Sequence, residues 1–174
     1  MNPSADVIIR CENAQDAQDR SAVRSINEAA FGRPDEADLI DGLRNGGAML
    51  LSLVAELEQR IVGHILFTRM WIDTSDGAVP AVALAPMAVL PGHQQRGIGG
   101  RLIREGLDLL HGRGERVVIV LGHPDYYPRF GFSHEKARAL DSPFPPEAYM
   151  AAELTPNALE GLRGKVRYAA AFGL

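Results

Sequence analysis

Residues 78–90 form an uncharged apolar run, and a short break at 91–97 separates them from an amphipathic helix pattern. A strand that is apolar on both faces has to be covered on both. The helix pattern opens near Gly97 and runs to about residue 111. Ile98, Leu102, Ile103, Leu107 and Leu110 recur in it at three- and four-residue steps, which makes one apolar stripe. Residues 116–121, Arg-Val-Val-Ile-Val-Leu, then read as a short buried strand. Strand, helix and strand of these lengths make a βαβ unit, whose two strands run parallel.

The rest of the chain departs from strict alternation of strands and helices. Residues 6–12 carry Val7, Ile8 and Ile9 and predict a first strand. Asn13 is placed to cap a helix over 15–30, in which Ala22, Val23, Ile26 and Ala30 share a face. A second helix over 36–44 is closed by Asn45-Gly46-Gly47. Extended segments follow at 49–56, 60–72 and 78–90, joined by turns at Glu58-Gln59 and Ser75-Asp76-Gly77. Strand, two helices and a β-meander before the βαβ unit predict an α/β fold with a mixed sheet. Further on, 126–130 predicts a short helix, 131–134 a strand, 142–146 a loop, and 149–154 and 165–168 strands. No repeat or linker divides the 174 residues, a length that suits one domain spanning 1–174 with one core.

Composition narrows the function classes. A net charge of −4 argues against a general nucleic-acid binder, though it leaves room for a local basic site. Cys11 is the only cysteine, so no internal disulfide forms, and it reads as a small strand residue rather than a nucleophile. The start of the chain, Met1-Asn2-Pro3-Ser4-Ala5-Asp6, shows no basic segment leading into an apolar one, so no signal peptide is expected. The run 78–90 is too short to cross a bilayer and contains Pro80 and Pro86. These features predict a cytoplasmic protein. The histidines are scattered and no Cys/His array is present, so no metal site is expected.

The chemistry concentrates at the junction. The first turn of a helix leaves backbone N–H groups unpaired, and the macrodipole adds partial positive charge there. Gly97, Gly99 and Gly100 let a ligand approach the backbone, while Arg96 and Arg101 bring full charge to the same point. Together they predict a phosphate or diphosphate site. A glycine-rich turn with no ligand is the plainer reading, but three glycines in four positions exceed what a turn needs, since glycine costs about 1 kcal/mol in a helix. Gly100 is followed by Arg101-Leu102, which fits neither a P-loop nor a dinucleotide fingerprint.

The spacing Gln94-x-x-Gly97-x-Gly99 instead resembles the Gln/Arg-x-x-Gly-x-Gly/Ala motif of the GCN5-related N-acetyltransferases. Residues 85–91 resemble that family's fourth strand. The segment Gly122-His123-Pro124-Asp125-Tyr126-Tyr127-Pro128-Arg129-Phe130-Gly131-Phe132 is similar to its YhbS-like subgroup. The resemblance covers most of the chain. It implies an acetyl-CoA-dependent N-acetyltransferase whose fourth strand splays from the fifth. In it, Met87, Ala88 and Val89 pair with the pantetheine arm, and Gln94, Gln95, Arg96, Gly97, Ile98, Gly99, Gly100 and Arg101 hold the diphosphate.

The resemblance further implies that Tyr127, four residues before Gly131, protonates the departing thiolate. A packing role for Tyr127, and the acid role for its neighbour Tyr126, stand as alternatives. Some relatives carry a carboxylate base on the fourth strand, but no Asp, Glu or His lies between Gly77 and Pro91 here. His64, His123, Asp125, the acidic group Asp35, Glu36 and Asp38, and a water chain are the remaining base candidates. That group, with Asp41, is also a candidate surface for a cationic acceptor, and Phe67, Met70 and Trp71 for an acceptor's apolar part. The acceptor is expected to be an amine on a small molecule or a protein. A homodimer is in keeping with relatives, although no interface signal is visible. A non-catalytic acyl-CoA-binding module of the same fold is the rival reading.

Overall fold

A computed structural model describes residues 6–174; residues 1–5, read above for a leader, lie outside the described residues. The chain runs β1 (Ile8–Cys11), α1 (Ala17–Phe31), α2 (Asp35–Asn45), β2 (Met49–Leu57), β3 (Arg60–Thr74) and β4 (Gly77–Val89). It continues through α3 (Ile98–Gly112), β5 (Val117–Leu121), a short helix α4 (His134–Ala137), β6 (Leu140–Asp141), β7 (Tyr149–Glu153) and β8 (Gly164–Arg167). The main sheet has the order β1-β2-β3-β4-β5-β7, with β8 extending it beside the far end of β3 and β6 beside β8. Among the described residues only β4–β5 and β6–β8 are parallel, so the sheet is mixed, and the expected parallel βαβ unit is present.

Alternation along the strands assigns the helices to opposite faces. Ala55, Ile65 and Phe67 pack with Ile98, Leu102 and Ile103 of α3. Their neighbours Val54 and Leu66 pack with Val23, Ile40 and Leu43 of α1 and α2. Glycines let α3 lie close to the sheet. A Cβ on Gly106 would stand 2.3 Å from Cε2 of Phe67, and one on Gly63 would stand 3.1 Å from Cγ2 of Ile98.

Local chemistry shifts two expectations and refines the rest. The cap of α1 is Asp16, whose Oδ1 accepts from Gln18 N–H at 2.8 Å. Asn13 instead accepts from Gln15 N–H at 3.1 Å and turns the chain one step earlier. Glu58 and Gln59 form their hairpin turn with φ of 49° and 64°, without glycine. The strand expected at 131–134 does not form. Gly131, at φ 91°, stops the preceding turn, and Ser133 makes a single bridge to Ala151 and then caps α4. The two-residue strand β6 was not expected at all, being too short to carry a period.

Gly106→Ala forces a methyl into the Phe67 ring, so a loss of about 1–3 kcal/mol is expected from overpacking. Urea unfolding checks it, and an unchanged midpoint would mean that α3 can withdraw from β3 at no cost.

Candidate active site

β4 and β5 pair only at Val82–Val118, Ala83–Ile119 and Leu84–Val120. β4 then runs on to Val89 while still paired with β3, through Ile65–Met87, His64–Ala88 and Gly63–Val89. The edge of β4 that faced β5 is therefore left without a strand partner from Ala85 onward. A bulge marks the divergence: between the Phe67–Leu84 and Ile65–Met87 pairs, Ala85 and Pro86 oppose Leu66 alone. Bulges bend a strand and increase its twist, and Pro86 has no N–H to give a ladder.

The connection after β4 brings α3 to this opening. Pro91–His93 makes a 3-10 turn, and Gln94 Nε2 donates to Val89 C=O at 2.9 Å. The motif glutamine thus ties the loop to the end of β4 with its side chain. Gln95, at φ 61°, and Gly97, at φ 80°, turn the chain into the helix. No side chain caps α3, and Arg101 N–H reaches back to Gly97 C=O at 3.1 Å. The amides of Ile98, Gly99 and Gly100 precede that first turn's closure and point out of the helix start.

Each motif residue has its own physical reason. Gly97 takes a left-handed conformation with open space around it. Gly99 is hemmed in: a Cβ there would stand 3.0 Å from the Tyr126 hydroxyl and 3.4 Å from Met87 Cε. Gly100 backs onto Phe130, whose ring atoms would lie 3.4 Å from a Cβ. The Ile98 side chain is buried in the α3 core, so only its backbone belongs to the opening. Arg96 and Arg101 are exposed at the helix start. Met87 and Val89 face the α3 side of the sheet with Ile65, and Ala88 faces α1 with His64.

Tyr127 lies in the 3-10 turn Tyr127–Phe130 with its ring buried. A Cβ on Gly122 would stand 2.2 Å from its Cε2, so that glycine, just past β5, is the bed of the ring. Phe132 and Tyr126 meet it edge-on at 5.7 and 5.2 Å. Burial, with a smaller contribution from Tyr126, pushes its hydroxyl up to about 12. Tyr127 therefore keeps its proton throughout the neutral range.

The structure separates the base candidates. His64 is fully buried on the α1 side of β3, away from the opening. Asn27 Nδ2 donates to Val23 C=O at 2.9 Å and to His64 Nδ1 at 3.2 Å. That leaves the proton on Nε2, 3.0 Å from Ser52 Oγ, and Ser52 donates in turn to Glu12, the partner of Arg44. Burial, and then Arg44, lower His64 to about 3, so it is a structural neutral imidazole. His123 and Asp125 are exposed on the loop after β5. The acidic group on α2 is already matched by cations. Arg33 pairs with Asp35 and Glu36, and Arg24 with Asp38 and Asp41. Phe67 and Met70 are core residues, and the Trp71 ring carries the guanidinium groups of Arg69 and Arg167 over it, at 5.9 and 6.0 Å.

Gly122, Phe130, Arg104 and Arg129 are neighbours of the opening to which the sequence pattern attached no role of their own. Arg104 lies over the Phe130 ring at 5.0 Å, and Arg129 over Tyr126 at 4.9 Å. The four-residue step from Gly100 to Arg104 was the available signal. Among the described residues, no group of three or more His, Cys, Asp or Glu can hold a metal ion, and no helix is long and apolar enough to cross a membrane.

Comparison with known proteins gives this geometry a family. Residues 13–134 match the acetyltransferase (GNAT) domain model. The chain belongs to the GNAT family of N-acetyltransferases. It is 40% identical over 162 residues to the uncharacterized N-acetyltransferase YjhQ of Escherichia coli K12, covering 88% of this chain and 89% of that one. The crystal structure of the GNAT N-acetyltransferase YhbS from Escherichia coli in complex with CoA superposes with a TM-score of 0.89 at 29% identity, covering 100% of this chain and 96% of that one. A GNAT acetyltransferase from Brucella melitensis in complex with acetyl-CoA gives 0.79 at 35% identity, covering 97% and 99%. The mixed sheet with flanking helices is accordingly the GNAT fold.

His64 predicts a pH dependence of stability for this GNAT domain. Its folded value of about 3 lies below the ordinary 6.5, so the unfolded chain binds the proton more readily. The contribution is fully present above pH 6.5 and is lost as pH falls towards 3, at about 1.4 kcal/mol per pH unit. His64→Gln is expected to unfold with a shallower acid slope. Parallel urea-denaturation curves for the two proteins between pH 7 and 4 would contradict the assignment.

Proposed function

We propose that this chain transfers the acetyl group of acetyl-CoA to an amine by direct attack, without a covalent acetyl-enzyme. The observation that carries the reading is the free edge of β4 standing beside the uncapped start of α3. The coenzyme's diphosphate sits on the amides and guanidinium groups of residues 94–101. Its pantetheine arm adds along the free edge of β4 at residues 87–89 as an extra strand, using the alternate backbone groups that turn away from β3. An outward N–H of that edge polarises the thioester carbonyl.

The amine nitrogen attacks the carbonyl carbon, the C–S bond breaks, and the sulfur leaves with the electron pair. Tyr127 donates its O–H to that sulfur. An ordinary thiol ionises near 8.5, whereas Tyr127 is held at about 12. Full proton transfer is therefore uphill. The phenol acts through a hydrogen bond that strengthens as charge gathers on sulfur, and water completes the protonation. The proton of the attacking amine passes to water at the exposed mouth beside His123 and Asp125. Holding two partners in line supplies most of the acceleration. The free thiol of Cys11 is exposed and suits a reducing cytoplasm, where we place the enzyme.

Tyr127→Phe is expected to lower kcat by about 100-fold, while the Kd for CoA changes less than two-fold. Because Tyr127 titrates near 12, the native enzyme is expected to show no alkaline loss of kcat from this group below about pH 10. Thiol release from acetyl-CoA with a panel of amines measures both. An unchanged kcat in the variant would remove Tyr127 from the reaction. Absence of release with every amine, together with tight CoA binding, would favour a non-catalytic binding module.

A further inference from the structure

Two adjacent tyrosines reach the opening, and their rings stand at 86° to each other. Tyr127 turns towards Gly122 and β5. Tyr126 turns the other way, and its hydroxyl stands 3.0 Å from where a Cβ of Gly99 would be, in the first turn of α3. The Tyr126 ring is half-buried and held on several sides: Tyr127 at 5.2 Å, Phe130 at 5.3 Å, and the Arg129 guanidinium at 4.9 Å from the ring centre. Arg104, stacked over Phe130, has its Nη1 3.3 Å from the Cβ position of Gly100. A phenol O–H and two guanidinium groups therefore gather where the helix presents its free amides.

We propose that Tyr126 is a second coenzyme-holding group, whose hydroxyl donates a hydrogen bond to the diphosphate at the start of α3 while Arg129 locks the ring in place. This rests on the reading of residues 94–101 as the diphosphate site. A phenol O–H donating to an anionic phosphate oxygen is a charge-assisted bond, stronger than one between neutral groups. The cation over the ring orients it without consuming the hydroxyl. Burial raises the Tyr126 hydroxyl, against the opposing pull of Arg129 and Arg104, so the group carries its proton at neutral pH and remains a donor. The two tyrosines thus divide the work: Tyr126 holds the coenzyme and Tyr127 meets the sulfur.

The test uses the full chain carrying Tyr126→Phe, which keeps the ring and its stacking. CoA affinity measured by titration calorimetry is expected to fall about ten-fold. The KM for acetyl-CoA should rise by the same factor, so that the loss in kcat/KM is carried by KM. The KM for S-acetylpantetheine, which lacks the diphosphate, should be the same in the variant and the native protein. Unchanged CoA affinity would mean that the hydroxyl only packs on Gly99 and would overturn the proposal. A fall in kcat with CoA affinity retained would also overturn it, because Tyr126 would then be the group that meets sulfur. Gly99→Asp is the control for the underlying reading: CoA binding as tight as in the native protein would remove the diphosphate from this turn altogether.

Discussion

The site depends on two parallel strands that part after three paired residues. Leu84 and Val120 are the last partners of β4 and β5. The bulge at Ala85 and Pro86 bends β4 away, and on the other side the Tyr127 ring fills the space beside Gly122 that a side chain would otherwise occupy. A sheet interior exposes no backbone hydrogen-bonding groups, but a parted sheet does, in the middle of the molecule. Such groups cost free energy when left dry. A ligand that hydrogen-bonds like a strand removes that cost, which is why the opening suits an arm containing amides.

Charge is arranged to support the same point. The chain is acidic overall, yet its carboxylates are largely engaged elsewhere: Asp19 and Glu56 with Arg10, Glu12 with Arg44, Asp73 with Arg167, Glu115 with Arg69. Arg96, Arg101, Arg104 and Arg129 lie exposed around the α3 start, with Arg104 and Arg129 stacked on aromatic rings rather than on acids. A short-range field of this kind recruits an anion without making the protein basic. The buried series Asn27, His64, Ser52, Glu12 and Arg44 serves another purpose. It links polar groups between α1, α2 and the sheet on the face away from α3, leaving Asn27 Oδ1 and Arg44 Nε without a partner, and its histidine is held neutral.

Much of this was legible in the residues. The 78–90 run, the glycine cluster and the 116–121 segment specified the βαβ unit, because a period and a break survive in sequence. The Gln94-x-x-Gly97-x-Gly99 spacing located the helix start. What stayed hidden were contacts made across the fold. Gly106 against Phe67 and Gly122 against Tyr127 depend on residues far apart in the chain, or on a turn whose direction no period encodes. Asp35, Glu36 and Asp38 looked available to a cationic acceptor, but Arg24 reaches Asp38 once α1 and α2 are packed, and Arg33 folds back locally onto Asp35 and Glu36 from the turn between the helices. The strand read at 131–134 failed because Gly131 needs positive φ, and β6 escaped notice because its pairing with β8 is tertiary.

The most direct measurement is a crystal structure of the protein grown with coenzyme A. Diphosphate oxygens are expected within hydrogen-bond reach of the Gly99 and Gly100 amides, with pantetheine amides laddered along residues 87–89. Coenzyme bound on another surface, with the gap between β4 and β5 empty, would contradict this placement.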